Sequence, residues 1–98
     1  MPLRELEVRA AKPQQRPYKL YDADGLHMMV TPAGGKLWRL RFRVGGKEKT
    51  LSLGAYPKLG LSEARRLKSE ALDKLDQGID PAAEKRRQRL ERKAKKQS

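Results

Sequence analysis

The segment Trp38-Arg39-Leu40-Arg41-Phe42-Arg43-Val44, followed by Gly45-Gly46, constrains the fold more than any other stretch of the chain. Its period is two throughout. Trp38, Leu40, Phe42 and Val44 alternate with Arg39, Arg41 and Arg43, which predicts a half-buried strand with one apolar face and one cationic face. Two consecutive glycines supply the positive-φ positions of a tight hairpin, so Lys47-Glu48-Lys49-Thr50-Leu51-Ser52-Leu53 is expected to return antiparallel. Pairing Val44 with Lys47 sets Arg43 opposite Glu48, Arg41 opposite Thr50, Arg39 opposite Ser52, Leu40 opposite Leu51 and Trp38 opposite Leu53. The wet face then carries Arg39, Arg41, Arg43, Thr50 and Ser52, and the apolar face needs a cover.

A helix downstream supplies one. Ala64, Leu67, Ala71 and Leu75 recur at helical spacing, and Leu72 widens the stripe. Ser62 is the expected N-cap, and Gly78 the residue just past the helix end near Gln77. Upstream, Tyr18 to Tyr21 reads as a short strand closed by the turn chemistry of Asp22-Ala23-Asp24-Gly25. Leu26 to Thr31 reads as a second strand, bounded by Pro32-Ala33-Gly34-Gly35. If that strand joins the sheet, His27, Met29 and Thr31 extend the wet face. Residues 3 to 11 fit one or two helical turns ending before Lys12-Pro13. The expected fold is α+β: a three- to four-stranded antiparallel sheet packed against a C-terminal α-helix, with a short N-terminal helix and a basic C-terminal extension. The domain is expected to occupy residues 1–81. Residues 82–98 offer only Ala82, Ala83, Leu90 and Ala94 as apolar positions, so they read as a basic linker or frayed helix leading to domains absent from this chain.

Charge narrows the function. The 98 residues carry a net +12, which favours a polyanionic partner. Half of the excess lies from Ala82 onward, where eight basic residues face two acidic ones, +6 in all. This tail either neutralises DNA phosphates or is a solvated linker; it is not expected to carry sequence specificity. Lys47 and Lys49, at the hairpin tip on the helix side, either reach a phosphate or keep an edge soluble; Lys36 is a further candidate phosphate contact. The arginine strand is the main candidate, because an antiparallel sheet fits the DNA major groove and arginine reads guanine bidentately.

Other chemistry finds no constellation. The chain has no cysteine and a single histidine, so disulfides and thiolate metal sites are excluded and no metal or cofactor is expected. His27 is expected to face solvent or a ligand surface. Asp22 and Asp24 read as turn residues, and Tyr18, Tyr21 and Tyr56 as packing residues, since nothing around them completes a catalytic set. No catalytic residue, small-molecule substrate or membrane partner is expected. No apolar run reaches the roughly 20 residues of a membrane span, and the N-terminus lacks the apolar centre of a signal peptide, so the expected location is cytoplasmic. Double-stranded DNA is the expected partner. An RNA-binding module and a protein-interaction module are the alternatives; an arginine face without aromatics favours duplex DNA over RNA.

An ordered series of short motifs adds a resemblance. Lys12-Pro13, Pro17-Tyr18-Lys19-Leu20, Asp22 with Gly25-Leu26, Val30-Thr31-Pro32 and Gly35-Lys36-Leu37-Trp38-Arg39 come first. Thr50-Leu51-Ser52-Leu53-Gly54, Tyr56-Pro57, Leu61-Ser62-Glu63-Ala64-Arg65 and Gln77-Gly78-Ile79-Asp80-Pro81 follow. Over about residues 3 to 82 the chain resembles the N-terminal arm-type DNA-binding domain of prophage and genomic-island tyrosine recombinases. The resemblance implies an antiparallel sheet packed on a helix, preceding core-binding and catalytic domains. It implies sequence-preferring binding to arm-type sites in integration and excision, in a bacterial host's nucleoid, with other integrase subunits as further partners. The sheet face is the implied major-groove contact. The chain departs from the family pattern at Arg4, where Ser or Thr is usual, at Asp24, where Gly is usual, and at His27, where an aromatic residue is usual.

Overall fold

The computed structural model describes residues 2–96, with side chains from residue 2 to residue 90. Seven elements follow in order: α1 (Glu5–Ala10), β1 (Tyr18–Tyr21), β2 (Leu26–Val30), β3 (Lys36–Val44), β4 (Lys47–Ala55), α2 (Leu61–Asp76) and α3 (Pro81–Lys96). The four strands form one antiparallel meander in the order β1-β2-β3-β4. The α+β expectation of a three- to four-stranded sheet holds, with four strands.

The alternation of β3 decides the layering. Trp38, Leu40 and Phe42 are buried, with Leu26, Met28, Val30 and Leu51 beside them on the same sheet face. Helix α2 lays Leu61, Ala64 and Ala71 onto that face, and α1 adds Val8 behind the buried Leu3. The small Ala64 and Ala71 let the helix backbone approach the sheet, so a short chain still closes a core. Gly45 (φ 58°) and Gly46 (φ 79°) take the left-handed conformations that the tight β3-β4 hairpin requires.

Two details differ from the sequence expectation. Trp38 lies opposite Gly54, not Leu53, because a bulge between Trp38 and Arg39 shifts the register. The cause is the β4-α2 loop: it folds back over Trp38, whose indole Nε1 donates to the Leu59 carbonyl at 2.6 Å. A Cβ on Gly54 would lie 3.0 Å from Leu59 Cδ2, so a residue without a side chain lets that loop in. The Tyr56-Pro57 peptide of this loop is cis. Second, α2 is capped by Gly60 without a side-chain bond, and Ser62 sits inside the first turn. Leu61 opens the helix, and its side chain is buried in the core. In α1, Leu6 projects into solvent at 72% exposure while Val8 is buried.

The C-terminal end of α2 follows expectation. Gly78 adopts φ 79°, and the Ile79 and Gly78 N–H groups donate to the Lys74 and Leu75 carbonyls. Asp80 then starts α3, its Oδ1 accepting from the Ala82 and Ala83 N–H groups with Pro81 in the first helical position. Among the described residues no helix is long and apolar enough to cross a membrane.

Candidate nucleic-acid interface

The face of the sheet away from α2 is where the arginines stand. Arg41 and Thr50 are register partners, as are Arg43 and Glu48. One strand position further along, Tyr21, His27, Arg39 and Ser52 form a row across all four strands. Lys19, Met29 and Leu37 make the next row. Arg41, Arg43, Thr50 and Ser52 are exposed and Arg39 is half-buried. Sequence pattern alone therefore placed these five residues on one surface, and the structure brings them together.

The backbone under Arg41 is held by Gly25. The Arg41 N–H donates to the Gly25 carbonyl at 2.9 Å, extending the β2-β3 ladder into the turn. Gly25 has φ 89°, and a Cβ there would meet the Arg41 carbonyl oxygen at 2.2 Å, so only glycine permits this approach. On the surface, Arg41 Nε lies 3.1 Å from Glu48 Oε1. Both side chains are about half exposed, so the pair holds the guanidinium in place without withdrawing it from water.

Comparison with known proteins places the chain in a family. Residues 3–88 match the model of the arm DNA-binding domain. The chain belongs to that family. It is 42% identical over 80 residues to the integrase of Shigella phage Sf6, covering 82% of this chain and 21% of that protein. It is 43% identical over 89 residues to the prophage integrase IntA of Escherichia coli (strain K12), covering 89% of this chain and 22% of that protein. With the integrase of Enterobacteria phage P4 it shares 38% identity over 93 residues, 93% of this chain and 21% of that protein. The chain thus spans about a fifth of the length of the curated integrases it matches. What it holds is the arm DNA-binding domain and not the catalytic part of such an enzyme.

Within this arm domain the remaining candidate residues fall in different places. His27 is buried at 4% exposure, contrary to the expectation that it faces solvent. Its Nδ1 lies 3.1 Å from the Gly25 carbonyl, and its ring sits 5.9 Å from that of Tyr21. Burial lowers its pKa, with Lys19, Arg41 and Arg39 pushing the same way against the Gly25 carbonyl, so the imidazole is neutral at pH 7. A neutral ring must donate Nδ1–H to that carbonyl, which fixes the tautomer. His27 supports the arginine face from beneath.

Lys36, Lys47 and Lys49 project on the helix side of the sheet. The Lys36 ammonium donates to the Val8 and Arg9 carbonyls at 2.7 and 3.1 Å, closing the C-terminal end of α1, and lies 5.3 Å from the Tyr56 ring centroid. Lys49 pairs with Asp80 at 2.6 Å, tying β4 to the start of α3. Lys47 is exposed at the hairpin tip.

Two surface residues escaped the sequence reading. Tyr21 is 57% exposed on the arginine face, whereas Tyr18 and Tyr56 pack against the core as expected. The face therefore does carry an aromatic ring. Lys19 is exposed in the neighbouring row. The signal was available in β1, where Tyr18-Lys19-Leu20-Tyr21 alternates like β3, but a strand of four residues gives too short a pattern to fix which side faces the core.

Proposed function

We propose that this arm domain reads arm-type duplex DNA through its arginine face and so serves site-specific recombination by an integrase. The observation that carries the reading is the register of β3 and β4, which presents Arg39, Arg41 and Arg43 beside Thr50 and Ser52 on one exposed surface. Three guanidiniums on a twisted sheet match the acceptors of guanine and the phosphates that line the major groove. Arg41 approaches DNA by exchanging Glu48 for a base edge or a phosphate. Lys47 and Lys19 flank the face and supply phosphate contacts; Lys36 and Lys49, engaged within the fold, lie outside the interface.

With about five or six phosphates neutralised, log K falls with log salt at a slope near −5. The test is a titration of the chain against duplexes from the ends of its parent element, with random duplex as competitor. Arg41→Ala is expected to weaken site-preferring binding by about 1–3 kcal/mol and to reduce the preference. Equal, weak binding to every duplex, unchanged by the substitution and flat in salt, would contradict the reading. Exposed Tyr21 favours a second reading, in which an unpaired base stacks on its ring. Single-stranded RNA as competitor separates the two: under the duplex reading it fails to displace the cognate duplex.

A further inference from the structure

Helix α3 crosses the open edge of the sheet at β4. Glu84, the acid of its first turn, turns toward α2, where Oε1 accepts from the Lys74 ammonium at 2.9 Å. Lys85, Arg86 and Arg89 turn the other way and line a groove with Thr50 and Ser52, two residues of the arginine face. Lys85 also donates to the Ser52 carbonyl, which holds the helix against the strand. Among the described residues no ion pair engages Arg86 or Arg89, whereas Arg66 on α2 is bridged by Glu63 and Glu70. The groove is open and measures about 190 Å³. That is below the roughly 300 Å³ at which small-molecule sites begin, yet ample for one anionic group that reaches out of it.

We infer that the β4-α3 groove is a phosphate-binding site for the DNA backbone, continuous with the arginine face, in which Arg86 and Arg89 grip phosphates flanking the groove read by β3. The inference rests on the reading that the sheet face binds duplex DNA, and turns the tail, which sequence alone leaves as either a general phosphate neutraliser or a solvated linker, into a defined second contact. Charge complementarity selects the occupant: the wall contributes cations and hydroxyls, and the one acid of the helix's first turns is consumed by Lys74. A phosphate contact positions the protein without reading sequence, so α3 contributes affinity and salt dependence but no site preference.

The test is an Arg86→Gln, Arg89→Gln double variant of the whole chain, titrated against a random-sequence duplex and against a duplex from the parent element's ends, over a range of salt. Glutamine keeps helix propensity at these exposed positions, so thermal unfolding should be unchanged. The expected result is weaker binding to both duplexes by the same factor, with the salt slope shallower by about 2. The matching double lysine variant, which keeps the charge, should restore the slope. An unchanged slope and affinity in the glutamine variant, while the parent chain still prefers its own duplex, would overturn the α3 site and leave the sheet reading intact. Loss of site preference in the glutamine variant would equally overturn it, since a phosphate grip cannot discriminate sequence. If the parent chain itself shows no preference and no response to Arg41→Ala, the sheet reading fails first.

Discussion

Asp22 closes the N-terminal segment onto the fold. Its carboxylate accepts from the Leu3 N–H at 2.9 Å and from Arg65 Nε and Nη2 at 3.1 and 3.0 Å, while Arg65 Nη2 also donates to the Leu3 carbonyl at 2.8 Å. The Asp22 side chain is 1% exposed. Burial alone would raise its pKa, but the Arg65 and Leu3 hydrogen bonds outweigh it and hold the carboxyl below the ordinary 3.8. The sign follows: this contribution is fully present above pH 3.8 and is lost as pH falls through the lowered folded value. Asp22→Asn is expected to cost about 1–3 kcal/mol near neutral pH, and denaturant titrations should show the gap from the parent closing in acid. A gap independent of pH would contradict the ionised clamp. The sequence reading placed Asp22 in a turn, which is true and incomplete: Arg65 stands far along the chain, and no local spacing connects them.

Elements were legible in proportion to how local their causes are. Strand β3, its hairpin and the Ala64-Ala71-Leu75 stripe follow from periods written in consecutive residues, and with them came the arginine face. The bulge at Trp38 was hidden because it depends on a loop returning to bond the indole. The docking of α3 was hidden for a similar reason. Its anchors are mostly polar: beside buried Pro81 and half-buried Ala82, Asp80 caps the helix with one oxygen and takes Lys49 with the other, Glu84 takes Lys74, and Lys85 donates to the Ser52 carbonyl. Lys49 and the hydroxyls beneath α3 belong to a strand thirty residues earlier, so a tail with little apolar surface looks unattached. Asp80→Ala removes cap and ion pair together, a loss of about 1–2 kcal/mol concentrated on α3. Hydrogen exchange should quicken in α3 and leave the β2-β3 ladder protected; uniform quickening would mean that α3 is not a separately docked element.

Across the whole molecule, the two sides of the sheet divide the work. The inner side holds the core under α2, with Lys36 and Lys49 tying α1 and α3 to the strands. The outer side carries cations that the fold leaves in water, with neutral His27 filling the space beneath Tyr21 and Arg39. The most direct test of this division is to follow backbone amide signals of the folded chain by NMR while adding duplex from the parent element's ends. The account predicts shifts concentrated at Arg39, Arg41, Arg43, Thr50 and Ser52, continuing into Lys85, Arg86 and Arg89, with α1 and the Glu63-Arg66-Glu70 face of α2 silent. Shifts confined to α1 or to that outer face of α2, with β3 and β4 unmoved, would contradict it.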